Sequence, residues 1–571
     1  MRNLTIIFIL SSIFTFNHVN AQTPNWLWAK GFGGANDEFM LNSSIDANGN
    51  VYILGNFESP FITFGNITLT NAYYTGGASV LDYFLVKYDS NGNVIWAKRI
   101  GGSSSFTGRT VTVDTIGNVY VTGVFSGQNM TFGNTTLVNV DITGSTSDIC
   151  IFKLDTNGNF LWANSIGGNG LGTTNDLDVI ASTTVDINGD LLVYGFYASP
   201  TMTLGAFSLS NTFNMNLFFA KYDTNGNVKW VKSSGGGAVN QSGFYPGGIS
   251  SDENGNFVLT GNFEPSIEFD SISLVGNGSS NSAVFIAKFD SLGNALWARC
   301  DPSSHGLGTA ITFDKNGNIF FTGFFVSPTI TFDTITLNND DTTGVYEDFF
   351  LVKYDANGNV IWANGAGGNS SCVGGSIATD NNDNVLVAGS FFGNNLVFGG
   401  TTLSCAGFYD GFFVKYDSFG NAIWAKSFGT STADSPRGIL VDSNNDIYVA
   451  GLFEGPILSL SPVSIVNSGF LAYDLFIAKL DASTVGIEEL ALQSSMSIAP
   501  NPFTFQTTVS FKEEQTNSSL RIFDIVGKEV KSITFSGKQL KIEKEDIKSG
   551  VYILQCVDKN KIVSTKKIVI Q

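Results

Sequence analysis

Tryptophan recurs along the chain at Trp28, Trp96, Trp162, Trp230, Trp297, Trp362 and Trp424, with successive spacings of 68, 66, 68, 67, 65 and 62 residues. A period this regular means that one structural unit has been copied and stacked, which limits the fold to repeat arrays such as solenoids and propellers. The words around each tryptophan agree. "KYDSNGNVIWAK" (87–98) returns as "KLDTNGNFLWAN", "KYDTNGNVKWVK", "KFDSLGNALWAR", "KYDANGNVIWAN" and "KYDSFGNAIWAK".

Four strand signals fill each unit. A short alternating run ends in Asp ("TVTVD"), a turn follows ("TIGN"), and "VYVTGVF" has the period of a half-buried strand. After a variable stretch come "DYFLVKYD", the turn "SNGN" and "VIWAK". The turns have a chemical reason: Gly supplies positive φ for a tight hairpin, and the leading Asp accepts bonds from the turn amides. The first turn recurs at 46–50, 114–118, 186–190, 252–256, 314–318, 380–384 and 442–446.

Counting copies suggests how the array ends. The last "LFIAKLD" (475–481) has no tryptophan strand after it, whereas "NWLWAKGFGG" near the N-terminus is a fourth strand with nothing before it. Each leftover completes the other. The expectation is an all-β, seven-bladed β-propeller over residues 22–485, closed by its N-terminal strand, with each tryptophan packed between blades. Lys87, Lys153, Lys221, Lys288, Lys353, Lys415 and Lys479 also recur once per unit. They suggest a repeated structural Lys–Asp pair. Insertions between strands two and three ("FITFGNITLT", "MTFGNTTLV") read as small extra hairpins decorating one face of the ring.

The ends differ from the body. Residues 1–21 have the short positive start, apolar run and small-residue exit of a secretory signal, with cleavage between Ala21 and Gln22. No later apolar run is long enough for a membrane span. Residues 486–496 read as a linker in which "GIEELALQ" is the best helical candidate, and residues 497–571 as a small Ig-like β-sandwich. That last module has 12 Lys+Arg against 8 Asp+Glu, so of the net charge of −19 about −23 belongs to the rest. An acidic body argues against nucleic acid as a partner.

Three resemblances follow from these residues. "D-x-x-G-N-V-Y-V-T-G" with "D-x-F-L-V-K-Y-D" resembles the bacterial SBBP β-propeller repeat, and "D-x-N-G-x-V-x-W" is similar to the tryptophan-docking motif of quinoprotein propellers. The quinone and metal ligands of the latter have no counterpart. "PNP" at 500–502, "IFDIVGKEV" and Ser549–Tyr552 resemble the C-terminal sorting domain of the type IX secretion system of Bacteroidetes. That resemblance implies engagement of the type IX machinery through residues 497–571 and a secreted or outer-surface location.

Catalytic chemistry is hard to find. After signal removal the one histidine is His305, in "DPSSHGLG", with no nucleophile motif beside it. Zinc sites built on several His and Cys are ruled out by count, and no cofactor or metal is expected. The "DANGN" clusters lack the Gly and Glu positions of a calcium loop, so they read as hairpin turns. Five cysteines (Cys150, Cys300, Cys372, Cys405, Cys556) read mostly as small buried residues, with a Cys372–Cys405 bridge as the one pairing considered. Asp-Ser/Thr-apolar triplets at 114, 270, 290 and 333 resemble an O-glycosylation acceptor.

Variable loops on a rigid scaffold are the usual place for recognition. They fall opposite the Asp-Gly turns, and their candidate ligand-binding aromatics are Tyr73, Tyr74, Phe244, Tyr245, Tyr346 and Tyr409. Ordinary loop packing is the competing explanation for these six. The functional expectation is a monomeric, non-enzymatic binding or adhesion module for a polysaccharide or surface protein. A hydrolase or lyase using loop carboxylates and a purely structural surface component are the alternatives.

Overall fold

The computed structural model describes residues 23–570 apart from 75–80, 102–105, 142–145, 169–177, 212–214, 237–246, 278–281, 303–304, 342–343, 369–370, 470–471, 482–495, 525–527, 546 and 559–560. The signal segment with Ala21 and Gln22, the helical candidate near 486, nearly all of the linker, Phe244 and Tyr245 lie outside the described residues. The chain divides into two units, Met1–Ser483 and Thr484–Gln571.

The first unit is a β-propeller built from four-stranded antiparallel sheets. One such sheet contains Glu38–Ile45, Val51–Phe57, Asp82–Tyr88 and Val94–Ile100, hydrogen-bonded in that order. Among the described residues, six sets are consecutive in sequence. The seventh joins Asp434–Val441, Ile447–Phe453 and Asp474–Leu480 to the N-terminal strand Trp26–Phe32, which pairs Ala29 with Ala478 and Phe32 with Leu475. Ser443 Oγ donates to Ala47 O and Lys479 Nζ to Ser90 O, so this set contacts the first one.

Buried cores lie between successive sheets. Phe32 and Leu475 of the last set pack with Ile53, Phe57, Ile62, Phe64 and Phe84 of the first. The two middle strands of each set are therefore covered on both faces: every residue of Val51–Phe57 and Asp82–Tyr88 is buried. This corrects the half-buried reading of strand two. Its alternation is real but does not mark solvent, because a neighbouring sheet stands on either side. Fully burying one such Phe or Leu contributes about 1.5–3 kcal/mol.

The extra hairpins depart from expectation. They run along the outer flank of the sheets instead of decorating one face. The strand Ile67–Thr70 packs on Val94–Ile100 of its own sheet, and a Cβ added to Gly65 at the hairpin tip would meet Val94. On the other side, Gly167 and Gly168 pair in register with Thr203 and Met202 of the next hairpin. Each hairpin is a wedge between two outer strands, and the ring of Phe64 lies 5.2 Å from Phe32 and 4.8 Å from Phe84. The Gly-Gly exits make room for it: a Cβ on Gly34 would sit 2.2 Å from Ser59 Oγ.

The second unit is all-β. Met496–Ala499, Gln506–Phe523, Glu529–Glu543, Gly550–Asp558 and Lys561–Ile570 form one hydrogen-bonded set. Register shifts between Ser510 and Ser518 break the two long strands. Met496, Val509, Leu520, Ile542, Leu554 and Ile568 share its core. All five cysteines are free thiols. The bridge considered for Cys372 and Cys405 is not formed: Cys372 is buried at a strand start, and Cys405 Sγ faces Gly407 O.

Candidate functional site on the variable-loop face

The end of the sheets that carries the Asp-Gly turns uses up its own polar groups. Asp46 Oδ1 accepts from the amides of Asn48 (2.9 Å) and Asn50 (3.0 Å), and Oδ2 accepts from Asn50 Nδ2 (2.8 Å). The second turn repeats this on Asp89, with Asn91, Asn93 and Asn93 Nδ2. Burial pushes the Asp89 carboxyl up, but these three bonds outweigh it and leave it below the usual carboxylate range.

Lysine and tryptophan tie neighbouring sheets together here. Lys353 Nζ lies 3.3 Å from Asp314 Oδ2 and donates to Ser418 O of the next sheet at 3.3 Å. Trp362 Nε1 donates to the same carbonyl at 3.1 Å. Equivalent indole bonds join Trp96 to Thr156, Trp162 to Thr224 and Trp297 to Ala356. Trp28 and Trp230 pack on the turn glycines Gly92 and Gly293, whose added Cβ would meet the indoles at 2.9 and 3.1 Å. Trp424 differs. The turn that would face it is replaced by the meeting of Asp481 N with Asn25 O, and its buried Nε1 has no hydrogen-bond partner among the described residues.

Among the described residues no three His, Cys, Asp or Glu side chains are grouped to hold a metal ion. His305 is exposed, in a left-handed backbone conformation (φ 27°), and its carbonyl accepts from Val326 N.

The opposite end is different in kind. Phe392, Phe408 and Tyr409 form an aromatic cluster with ring centroids 5.2–5.7 Å apart. Phe408 is 64% exposed and Tyr409 37%. The backbone beneath is pinned to the next sheet, since Phe408 N donates to Thr432 O (3.1 Å) and Asp434 N to Tyr409 O (2.8 Å). Gly407 permits this approach: a Cβ there would lie 2.2 Å from Thr432 O. Glu454 borders the cluster, accepting from Ala433 N at 3.2 Å. One cleft further on, Tyr473 packs on Phe39 at 5.6 Å, and Glu38 N donates to Tyr473 O.

Beneath these aromatics lie buried acids. Asp410, Asp434, Asp474 and Glu38 are each 0–2% exposed, and each has one carboxylate oxygen without a hydrogen-bond partner among the described residues. Burial, reinforced by Asp474, raises Glu38 to about 7; burial, reinforced by Asp410, raises Asp434 to about 6. Such pairs are too deep to touch a substrate. The exposed aromatics are not.

Of the candidate ligand-binding aromatics, Tyr409 alone among the described ones enters a ring cluster. Tyr73 and Tyr74 sit in the loop that begins with the Asn71 turn, where Tyr73 N donates to Asn71 Oδ1. Tyr346 N donates to Asp341 Oδ2, and its carbonyl accepts from Asn339 Nδ2. Phe392 and Phe408 were missed. Aligning the units exposes the first: its position holds Glu58, Ser126, Ala198, Glu264, Val326 and Glu454 in the other copies.

Comparison with known proteins agrees with this architecture. Residues 95–124 and 423–452 match the beta-propeller repeat family SBBP, and residues 497–571 match the secretion system C-terminal sorting domain family. An uncharacterized WD repeat-containing protein of Acanthamoeba polyphaga mimivirus is 27% identical over 77% of this chain and 37% of its own length. The regulatory protein FlaEY of Caulobacter vibrioides is 26% identical over 63% of this chain and 38% of its own. The chain thus spans little more than a third of the length of these relatives. Among solved structures, PorZ of Porphyromonas gingivalis, a surface component of the type-IX secretion system, matches at 10% identity and TM-score 0.17 over 95% of this chain and 100% of that one. Among the described residues no helix is long and apolar enough to cross a membrane. The chain carries SBBP-type β-propeller repeats at residues 95–124 and 423–452 and a secretion system C-terminal sorting domain at residues 497–571, the tail of a secreted, cell-surface protein.

Proposed function

We propose that this chain is a monomeric, non-enzymatic binding module, a single seven-bladed ring that presents Phe392, Phe408 and Tyr409 to a polysaccharide. The observation that carries this reading is the exposed aromatic cluster, which breaks a symmetry the rest of the ring keeps. A contiguous exposed aromatic patch on a soluble domain marks an interaction site, and flat rings suit the apolar faces of pyranose sugars. Glu454 beside the cluster and the acidic body disfavour uronic acids, so the ligand is a neutral or amino-sugar chain. The buried position of Asp410 and Asp434 speaks against their use in hydrolysis or elimination.

The test is binding of the purified chain to immobilised glycans spanning neutral, amino and uronic-acid polymers. Saturable binding to the first two classes that falls tenfold or more in Phe408→Ala, with unfolding unchanged, supports the reading. Binding unaffected by Phe408→Ala and Tyr409→Ala would place recognition elsewhere.

A further inference from the structure

The clefts under the aromatic cluster hold acid pairs that the proposed binding does not use. At the first, Asp410 opens strand three of one sheet and Asp434 opens strand one of the next; at the second, Asp474 and Glu38 occupy the same two positions. Both clefts flank the sheet that takes the N-terminal strand.

One oxygen of each carboxylate already accepts hydrogen bonds. Thr430 N and Oγ1 donate to Asp434 Oδ2, Ala406 N to Asp410 Oδ2, Ser468 N to Asp474 Oδ2 and Gly34 N to Glu38 Oε2. The remaining oxygens of all four are buried and have no hydrogen-bond partner among the described residues. The first cleft has Glu454, Tyr473 and the Cys405 thiol around it; the second has Asp37 and Tyr473, and the Arg437 cation interacts with that tyrosine. Other clefts vary at this strand-three position: Asp82 is paired with Arg99 at 3.2 Å and Asn216 carries no charge, whereas Asp148 and Asp348 are buried acids raised to about 6 like Asp434.

The same strand starts hold the aromatic residues in place. Asp434 N bonds to Tyr409 O and Glu38 N to Tyr473 O, so a cleft that opens releases the backbone of a surface tyrosine. We propose that the Asp410–Asp434 and Asp474–Glu38 pairs act as a pH-sensitive latch, shut when each pair keeps a proton and loosened when both members ionise, which regulates the binding face inferred above. Like charges buried together cannot both ionise cheaply. Burial-raised carboxyls place the end of the transition at about pH 6 in the first cleft and about 7 in the second. Between the ordinary carboxyl values and these raised ones the folded state holds more protons than the unfolded one, so local stability is full below the ordinary values and is lost as pH rises to about 6–7.

The experiment is hydrogen exchange on the full mature chain at pH 5.5 and 8, corrected for intrinsic rate, and it needs no ligand. Peptides covering 405–412, 430–438 and 34–40 should lose protection tenfold or more at pH 8, while those around Asn216 and Ser234 stay unchanged. Asp434→Asn should flatten the response of the first cleft and Glu38→Gln that of the second. A pH response at the Asn216 and Asp82–Arg99 clefts of the wild-type chain equal to that at the two acid-pair clefts would overturn the latch, even if neither variant folds. Failure of glycan binding with the exchange pattern intact would instead overturn the binding reading and leave the latch standing.

Discussion

The two ends of the propeller sheets use the same side chain in opposite ways. At the turn end, aspartates such as Asp89, Asp155 and Asp355 accept three hydrogen bonds each, and these hold them below the usual range against the effect of burial. At the loop end, Asp148, Asp348 and Asp434 are raised to about 6 by burial. One end is copied in every unit and spends its polarity on holding sheets together. The other varies from unit to unit and is left with unsatisfied carboxylates and exposed rings. Strain of this kind, concentrated at one end of a repetitive scaffold, is where function is expected.

The largest effects should come from breaking the copied end. Asp314 and Lys353 are both buried and ion-paired, so Asp314→Ala leaves a buried ammonium beside turn amides without their acceptor. A loss of about 3–5 kcal/mol is expected in denaturant unfolding. Trp96→Ala, which removes an inter-sheet indole and its bond to Thr156, should cost a similar ~3–5 kcal/mol. The exposed second-turn aspartate offers a milder contrast: Asp355→Ala should cost about 1 kcal/mol.

The comparison can also be sharpened by pH. Groups raised by burial, Glu38 and Asp434 among them, favour the folded state below their unfolded values, and that advantage disappears as pH climbs through about 6–7. Thermal midpoints should therefore fall between pH 5 and 7.5, with Glu38→Gln showing a shallower fall. Turn-end carboxyls act in the reverse sense and lose their contribution only below about pH 4. The smallest effect on stability is expected from Phe408→Ala, within about 0.5 kcal/mol, because its ring is mostly in solvent.

Legibility in the sequence follows the same division. The tryptophan period, the Asp-x-x-Gly-Asn turns and the unmatched strands at either end of the array are readable because seven copies repeat one physical solution, and Trp26–Phe32 does pair with Asp474–Leu480. The Lys–Asp pair is readable for the same reason, and six of the seven lysines have one among the described residues. The hairpins misled because their alternation says that one side is buried without saying against what. Phe392 and Tyr409 lie 17 residues apart in a stretch whose loops read as ordinary surface, and only the fold brings their rings together. The acid pairs join residues of different units, which no local pattern reveals.

The most direct measurement is a titration of one neutral glycan against the wild-type chain, the double variant Phe408→Ala/Tyr409→Ala, and a turn-end control, Ile116→Ala/Ile187→Ala, whose two side chains are also exposed. The expected result is that the loop-end variant loses at least tenfold in affinity while the control and wild type coincide. Equal affinity of the loop-end variant and wild type, or a loss confined to the control, would contradict the assignment of recognition to the variable end.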